Sequence, residues 1–414
     1  MREMKDSGFE WLGIIPCHWN LTRIANLYKV RNQKVSDKDF PPLSVTMKGI
    51  VPQLETAAKT NDGDNRKLVR VGDFAINSRS DRRGSCGISP LDGSVSLINT
   101  VLRPLSEMNP QYYNWLFHTV QFADEYYKCG HGIVDDLWTT TWQEMKKIVI
   151  PTPPLDEQKK IAEFLDAKCS EIDALITEIQ AQIETLEQYK RTTIIETVLK
   201  GLNPVLPIKD SNIDWIGEIP AHWNTHPLYY YFTERKNANA LGKENNLLSL
   251  SYGKIIRKDI NTNGGLLPNN FNTYNIIEKD DIVLRLTDLQ NDKRSLRTGI
   301  ARERGIITSA YVTLCAIKPL NAQYFYYLLH AYDLMKVLYN MGAGVRQGLN
   351  YEELSKMMLI EPSLDEQNEI VDYLDKKCSE VDACISDKKE QIATLEAYKK
   401  SIIFEYVTGK KEVM

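Results

Sequence analysis

From Leu155 onward, apolar residues stand at Leu165, Cys169, Ile172, Ile176, Ile179, Ile183 and Leu186 in alternating steps of four and three, with polar residues on the remaining faces. This is the narrow seam of a coiled-coil helix that wants one partner helix. A second seam follows at Leu374, Cys378, Val381, Ile385, Ile392 and Leu395, interrupted by Lys388. At about 1.5 Å per residue, a helix of about 45 residues is a rod of roughly 68 Å, too long to persist on propensity alone and suited to pair with its own repeat. The alternative is two independent helices, each lying on its own domain. Pro151, Pro153 and Pro154 precede the first helix and Pro362 the second. Asp156, Glu157, Asp365 and Glu366 fall in the first turns, where the helix dipole favours negative charge.

The pattern belongs to a chain written twice. Asp6–Trp19 and Asp210–Trp223 share Trp, Gly, Ile, Pro, His and Trp, and Leu155–Gly201 matches Leu364–Lys410 without a gap. Between these markers Val71–Asn77 resembles Lys279–Arg285, Gly93–Pro104 resembles Gly305–Pro319, and Gln111-Tyr-Tyr resembles Gln323-Tyr-Phe. Short β-type runs such as Phe74-Ala-Ile, Val95-Ser-Leu-Ile, Ile282-Val-Leu and Ala310-Tyr-Val-Thr-Leu are bounded by Gly, Asp, Asn and Pro. Each half also holds an aromatic-rich helix, Tyr112 to Tyr127 and Tyr324 to Tyr339, whose spacing predicts core packing rather than base stacking. The expected fold is α+β, a pseudo-twofold internal repeat of two globular domains, 1–150 and 204–360, joined by helices in 151–203 and 361–414 that form an antiparallel coiled coil. Frames repeat while contents differ, as two readers of different targets on one scaffold would require.

Composition narrows the chemistry. The 414 residues are 43% hydrophobic and 26% charged, with a net charge of −4, so phosphate binding must come from local basic patches rather than a global field. No apolar run approaches the roughly 18 residues of a membrane span, and the start MREMKDSGFEW lacks the order of a secretory signal, so a cytoplasmic location is expected. Seven cysteines, odd in number and without a CxxC pair, indicate neither a zinc site nor a disulfide framework. His18 and His222 lack ligand-type neighbours and, with Trp11, Trp19, Trp215 and Trp223, are expected to pack at the domain entrances. Glu157-Gln-Lys159 superficially fits a nuclease D…(D/E)xK pattern, but the repeat has Asn368 in the lysine's place. There is no G-x-x-x-x-G-K-[ST] phosphate loop and no Asn/Asp-Pro-Pro-aromatic tetrapeptide. No catalytic residue, metal site or cofactor is therefore assigned.

The basic patches lie in loops. Ser78, Arg79, Arg82, Arg83 and Ser85 follow the first β-run, and Arg285, Lys293, Arg294 and Arg297 occupy the corresponding stretch of the second half. Arginine's planar fork grips guanine or phosphate in bidentate fashion, and equivalent placement in both halves favours DNA contact over a merely solvated loop. A Gly-rich segment before each long helix supplies His131 in one half and Arg346 with Gln347 in the other. Its glycines permit close backbone approach to phosphate.

The W-x-G-x-I-P-x-H-W openings, the P-x-L-x-E-Q starts at Pro153–Gln158 and Pro362–Gln367, and their duplicated order resemble the specificity subunits of Type I restriction-modification enzymes. The resemblance implies that each variable domain is a target recognition domain reading one half of a bipartite site in double-stranded DNA, with the coiled coil setting the gap. It also implies that two methyltransferase subunits dock to give an adenine-N6 modification enzyme and that motor-nuclease subunits add restriction. S-adenosylmethionine, ATP and Mg would then be bound by those partners. Paired reading heads usually sit one DNA turn of about 34 to 36 Å, or a multiple, apart, which a rod of this length matches. The rival expectation is a duplicated scaffold that binds two proteins and no nucleic acid.

Overall fold

The computed structural model describes residues 2–55, 63–79, 82–105, 107–132, 138–260, 270–289, 295–341 and 348–413. The chain divides into two compact units, Met1–Gln180 with Lys389–Met414, and Ala181–Lys388. The long helices run Leu155–Lys200 and Leu364–Val407, so the division falls inside them rather than at their ends. Each unit thus holds a globular body, the start of the helix that follows it and the last turns of the other helix.

In the first unit a four-stranded antiparallel sheet orders Cys86–Ile88, Phe74–Asn77, Asn99–Pro104 and Tyr28–Val30. A second sheet of three strands contains Gly93–Val95, Arg66–Val69 and Lys34–Val35. The run from Val95 is not one strand: Asn99 N–H donates to Ser96 O at 3.0 Å, and the turn separates the two sheets. The aromatic segment is likewise two helices, Pro110–Phe117 and Val120–Lys128. Thr119 breaks it, its hydroxyl donating to Leu116 O at 2.7 Å and capping Phe122 N–H at 3.2 Å. Tyr112, Tyr113, Phe117, Phe122 and Tyr126 are buried with Ile161 and Leu165 of the first long helix and Ile403 and Val407 of the second. The aromatic spacing is therefore core.

The second unit repeats the four-stranded sheet, while its companion sheet has two strands among the described residues, Asn275–Ile277 and Gly305–Ile307. Its four-stranded sheet orders Phe232–Glu234, Val312–Ala316, Ile282–Leu284 and Thr298–Ile300. The aromatic helix here is continuous from Ala322 to Leu334 and ends where Lys336 takes a left-handed φ of 65°. Its core joins Tyr324, Phe325 and Tyr332 to Ile194 and Val198 of the first long helix and Ile370 and Leu374 of the second.

Within each unit the long helices pair antiparallel. In the first, Phe164 meets Tyr406 with ring centroids 4.4 Å apart and Lys399 Nζ reaches Asp173 at 2.6 Å. In the second, Lys190 reaches Asp382 at 2.7 Å. The offset that carries Leu155 to Leu364 also carries Lys190 to Lys399 and Asp173 to Asp382. Along the seam Leu165, Ile172, Ile183, Leu374, Val381 and Ile385 are buried. Ile176, Ile179, Leu186, Ile392 and Leu395 are half-buried. The interruption at Lys388 is satisfied, since its Nζ donates to Gln182 Oε1 at 2.5 Å. Among the described residues no helix is long and apolar enough to cross a membrane.

The repeated I-P-x-H-W phrase explains why the body grips the helices. Trp19 is fully buried and its Nε1 donates to Glu157 at 2.9 Å, while His18 Nε2 lies 2.5 Å from the same carboxylate and Arg2 at 3.1 Å. Trp223 and His222 reach Glu366 at 3.2 and 2.8 Å. The helix-start acids thus do more than meet the dipole. On its other side each tryptophan abuts the glycine that ends the opposite helix. A Cβ on Gly409 (φ 70°) would lie 2.8 Å from the Trp19 ring, and one on Gly201 (φ 73°) 3.1 Å from that of Trp223. Gln158 and Gln367 add a second repeated tie, accepting from Asn109 and Asn321 N–H at 2.9 and 3.0 Å.

Burial raises the Glu157 carboxyl, but the bonds from Trp19 and His18 and the charge of Arg2 outweigh it, leaving its pKa below the ordinary value. Glu366 is likewise held down, against burial, by His222, Ser363 and Trp223. A carboxylate depressed on folding contributes stability above its unfolded pKa of about 4.3, and that contribution is lost as pH falls through the lower folded value. Glu157→Gln is expected to cost about 1–3 kcal/mol at neutral pH and to flatten the acid limb of the stability curve. Urea titrations at neutral and acid pH check this, and an acid limb as steep as the parent's would sink it.

Candidate nucleic-acid interface

The loop after strand Phe74–Asn77 is held by its backbone so that its arginines face outward. Ser78 N–H donates to Ile98 O at 3.3 Å, Thr140 N–H to Ser78 O at 3.0 Å, and Tyr127 Oη to Arg79 O at 2.7 Å. Arg82 N–H turns back to Arg79 O at 3.3 Å, and Gly84 takes a left-handed φ of 76° before the chain enters Cys86–Ile88. Arg79, Arg82 and Arg83 are exposed. Arg83 pairs with Asp124 and stands 5.1 Å above the Tyr127 ring, whereas Arg79 borders a cleft of about 410 Å³ with Lys67, Trp142 and Gln143. Burial lowers the Lys67 pKa, and its Nζ donates to Asn99 O at 2.7 Å.

Two of the loop's candidates face inward instead. Ser78 and Ser85 are 6% exposed, and Ser78 Oγ donates to Ile98 O, so they shape the loop rather than offer hydroxyls to a ligand. His131 is exposed and its backbone bridges Thr139. Trp142 and Gln143 carried no sequence signal beyond Thr141-x-x-Glu144. That phrase proves to be a capping box, and it sets both residues at the cleft.

In the second unit the largest correction concerns Arg297. It is 0% exposed, and its guanidinium donates to the carbonyls of Arg285, Thr287 and Asp288 at 3.2, 2.7 and 3.1 Å and to Tyr339 Oη at 3.1 Å. It ties the loop to the helical layer, as the Tyr127 hydroxyl does in the first unit, and does not project into a groove. The loop turns these carbonyl oxygens inward to meet the guanidinium, and the Arg297 backbone N–H donates to the buried Asp333 carboxylate at 2.6 Å. Arg285 is half-exposed. Lys293, Arg294, Arg346 and Gln347 lie outside the described residues.

The Type I restriction modification DNA specificity domain matches twice, over residues 18–185 and 232–397. The chain belongs to this family. A type I restriction enzyme specificity subunit (MjaVIII) of Methanocaldococcus jannaschii is 25% identical over 96% of the chain and 94% of its own length. A putative one (MjaX) of the same organism is 28% identical over 65% of the chain and 61% of its own length. The fold matches that of a chain solved to explain complex assembly and conformational transition of the type I R-M system, with TM-score 0.70 and 15% identity over 96% of this chain and 99% of that one. The HsdS subunit crystal structure from Thermoanaerobacter tengcongensis gives TM-score 0.52 and 17% identity, covering 96% and 98%. Membership sets aside the scaffold expectation and places the chain among non-catalytic DNA specificity subunits, built as two such domains with paired helices.

Arg297→Ala is expected to lower stability by about 3 kcal/mol or more, since several carbonyls lose their donor at about 1–3 kcal/mol each. Thermal melting checks this. A variant that melts like the parent but binds DNA more weakly would restore Arg297 to the list of contacts.

Proposed function

We propose that this subunit reads a bipartite DNA site, one half-site per unit, and leaves all chemistry to its partners. The observation that carries the reading is the twice-built frame. The same sheet order, the same grip of Trp on Glu and a strand-anchored loop recur in both units, while the loop contents differ, with exposed Arg79 and Arg82 in one and half-exposed Arg285 in the other. A fixed frame positions and a variable loop specifies, which is the division of labour between phosphate and base contacts. The partners in this reading are two methyltransferase subunits, which bind S-adenosylmethionine and modify adenine, with motor-nuclease subunits that use ATP and Mg in the restricting form. The setting in this reading is the cytoplasm, where the cell's DNA is met.

In this reading the paired helices also set the gap between half-sites. Matched seven-residue insertions, one between Ile172 and Leu186 and one between Val381 and Leu395, preserve the seam and lengthen it by about 10 Å. At about 3.4 Å per base pair the spacer is expected to grow by about three base pairs, with both half-sites unaltered. Single-molecule methylome sequencing after co-expression with the methyltransferase reads spacer and half-sites together. An unchanged spacer in a folded, active assembly would reject the ruler. Arg79→Ala with Arg82→Ala is expected to weaken target binding and reduce its salt dependence. Undiminished affinity and an unchanged salt slope would remove these residues from the interface.

A further inference from the structure

Each unit carries a short antiparallel hairpin that no sequence motif singled out. In the first, Leu43–Thr46 pairs with Gly49–Pro52 around Met47 and Lys48; in the second, Leu248–Ser251 pairs with Lys254–Arg257 around Tyr252 and Gly253. The hairpin flanks bury Leu43, Ile50 and Leu248 in small cores, but the tips do not follow them inward. Met47 is 71% exposed and Tyr252 83% exposed. Lys48 and Lys254 beside them are exposed too. The two hairpins have diverged in sequence and in turn geometry, yet each keeps a large apolar or aromatic side chain in water next to a lysine.

Their position is as informative as their exposure. A Cβ on Gly87, in the strand that closes the first arginine loop, would lie 2.8 Å from Gly49 Cα. In the second unit a Cβ on Gly253 would lie 3.2 Å from Leu296, next to Arg297, and Tyr326 Oη holds the turn by donating to Gly253 O at 3.3 Å. Both tips therefore stand beside the loop assigned to DNA. Tyr252 moreover has φ 47° and Gly253 φ 77°, the two left-handed residues of a hairpin turn whose first position suits Asn or Gly far better than an aromatic residue.

The geometry points to Met47 and Tyr252 as apolar wedges that press on a base-pair step in the minor groove of their respective half-sites, with Lys48 and Lys254 on the flanking phosphates. Met is among the side chains that enter a base step and partly unstack it, and an aromatic face stacks on any base. Flexible pyrimidine–purine steps are the expected sites. A single side chain at a tip is far too small for a stable protein interface of about 800 Å² per partner, whereas its lysine complements a phosphate. The inference rests on the DNA-reading function and adds a deformation of the half-site to it.

The test uses the full chain assembled with its methyltransferase on the target defined by methylome sequencing, with 2-aminopurine placed in turn through each half-site. Tyr252→Asn suits the left-handed turn and removes the ring, so it is expected to melt no lower than the parent; Tyr252→Phe keeps the ring. Fluorescence is expected to rise at one step of one half-site with the parent and with Tyr252→Phe. Tyr252→Asn is expected to lose that rise and about tenfold in affinity, with the other half-site unaffected. Met47→Ser is expected to do the same in the other half-site. Binding with no unstacked base, or a rise that survives Tyr252→Asn, overturns the wedge alone. Failure of the parent assembly to bind its target overturns the DNA reading and the wedge together.

Discussion

The structure depends on the clasp that each buried tryptophan makes between two helix ends. Trp19 bonds to Glu157 at the start of one long helix and lies against Gly409 beyond the end of the other; Trp223 does the same with Glu366 and Gly201. Tyr112 and Tyr324 reinforce it, donating to the Val407 and Val198 carbonyls at 2.7 and 3.3 Å. A helix C-terminus leaves carbonyls without partners, and here the globular body supplies a donor. The paired helices are therefore part of each body's own core, and the lone seam-breaking Lys388 is tolerable because Gln182 meets it within the same pairing.

With the helices secured, the bodies are free to vary where function needs it. The four-stranded sheet has one order in both units, and the loop after Phe74–Asn77 or Ile282–Leu284 is tied to the helical layer, by Tyr127 in one and by the bond from Arg297 to Tyr339 in the other. Two unrelated side chains perform one mechanical task, which lets the exposed residues around them change without moving the loop. In the proposed reading, recognition changes by editing side chains on a platform that stays put.

The legible part of the fold was the part governed by period. The seam from Leu165 to Leu186, its repeat from Leu374 to Leu395 and the helix starts after Pro154 and Pro362 all follow from spacing and capping, and the helices begin at Leu155 and Leu364. The break at Thr119 was not legible, because a threonine inside an aromatic helix reads as tolerated until its hydroxyl is seen capping Phe122. The site was legible only to the level of loops. Composition made Arg297 look like its neighbours, yet it faces a ring of inward carbonyls, and burial is set by tertiary packing that a local charge pattern does not encode. The hairpin tips at Met47 and Tyr252 were missed for the opposite reason. An apolar residue in a short strand-turn segment reads as core until its exposure is known.

The clasp also dictates an order of assembly on the ribosome. The first unit takes its final residues from Lys389 onward, and the Tyr112–Val407 bond joins positions 295 residues apart. Residues 181–388, by contrast, form one uninterrupted stretch. At a synthesis rate of about 5–20 residues per second, the body translated first waits roughly ten to forty-five seconds for the segment that closes it. The body translated second has its whole stretch in hand sooner after its own start. During that interval the surface that packs against Ile403 and Val407 lacks its partner, so the unit whose synthesis starts first is the last to have all its segments made.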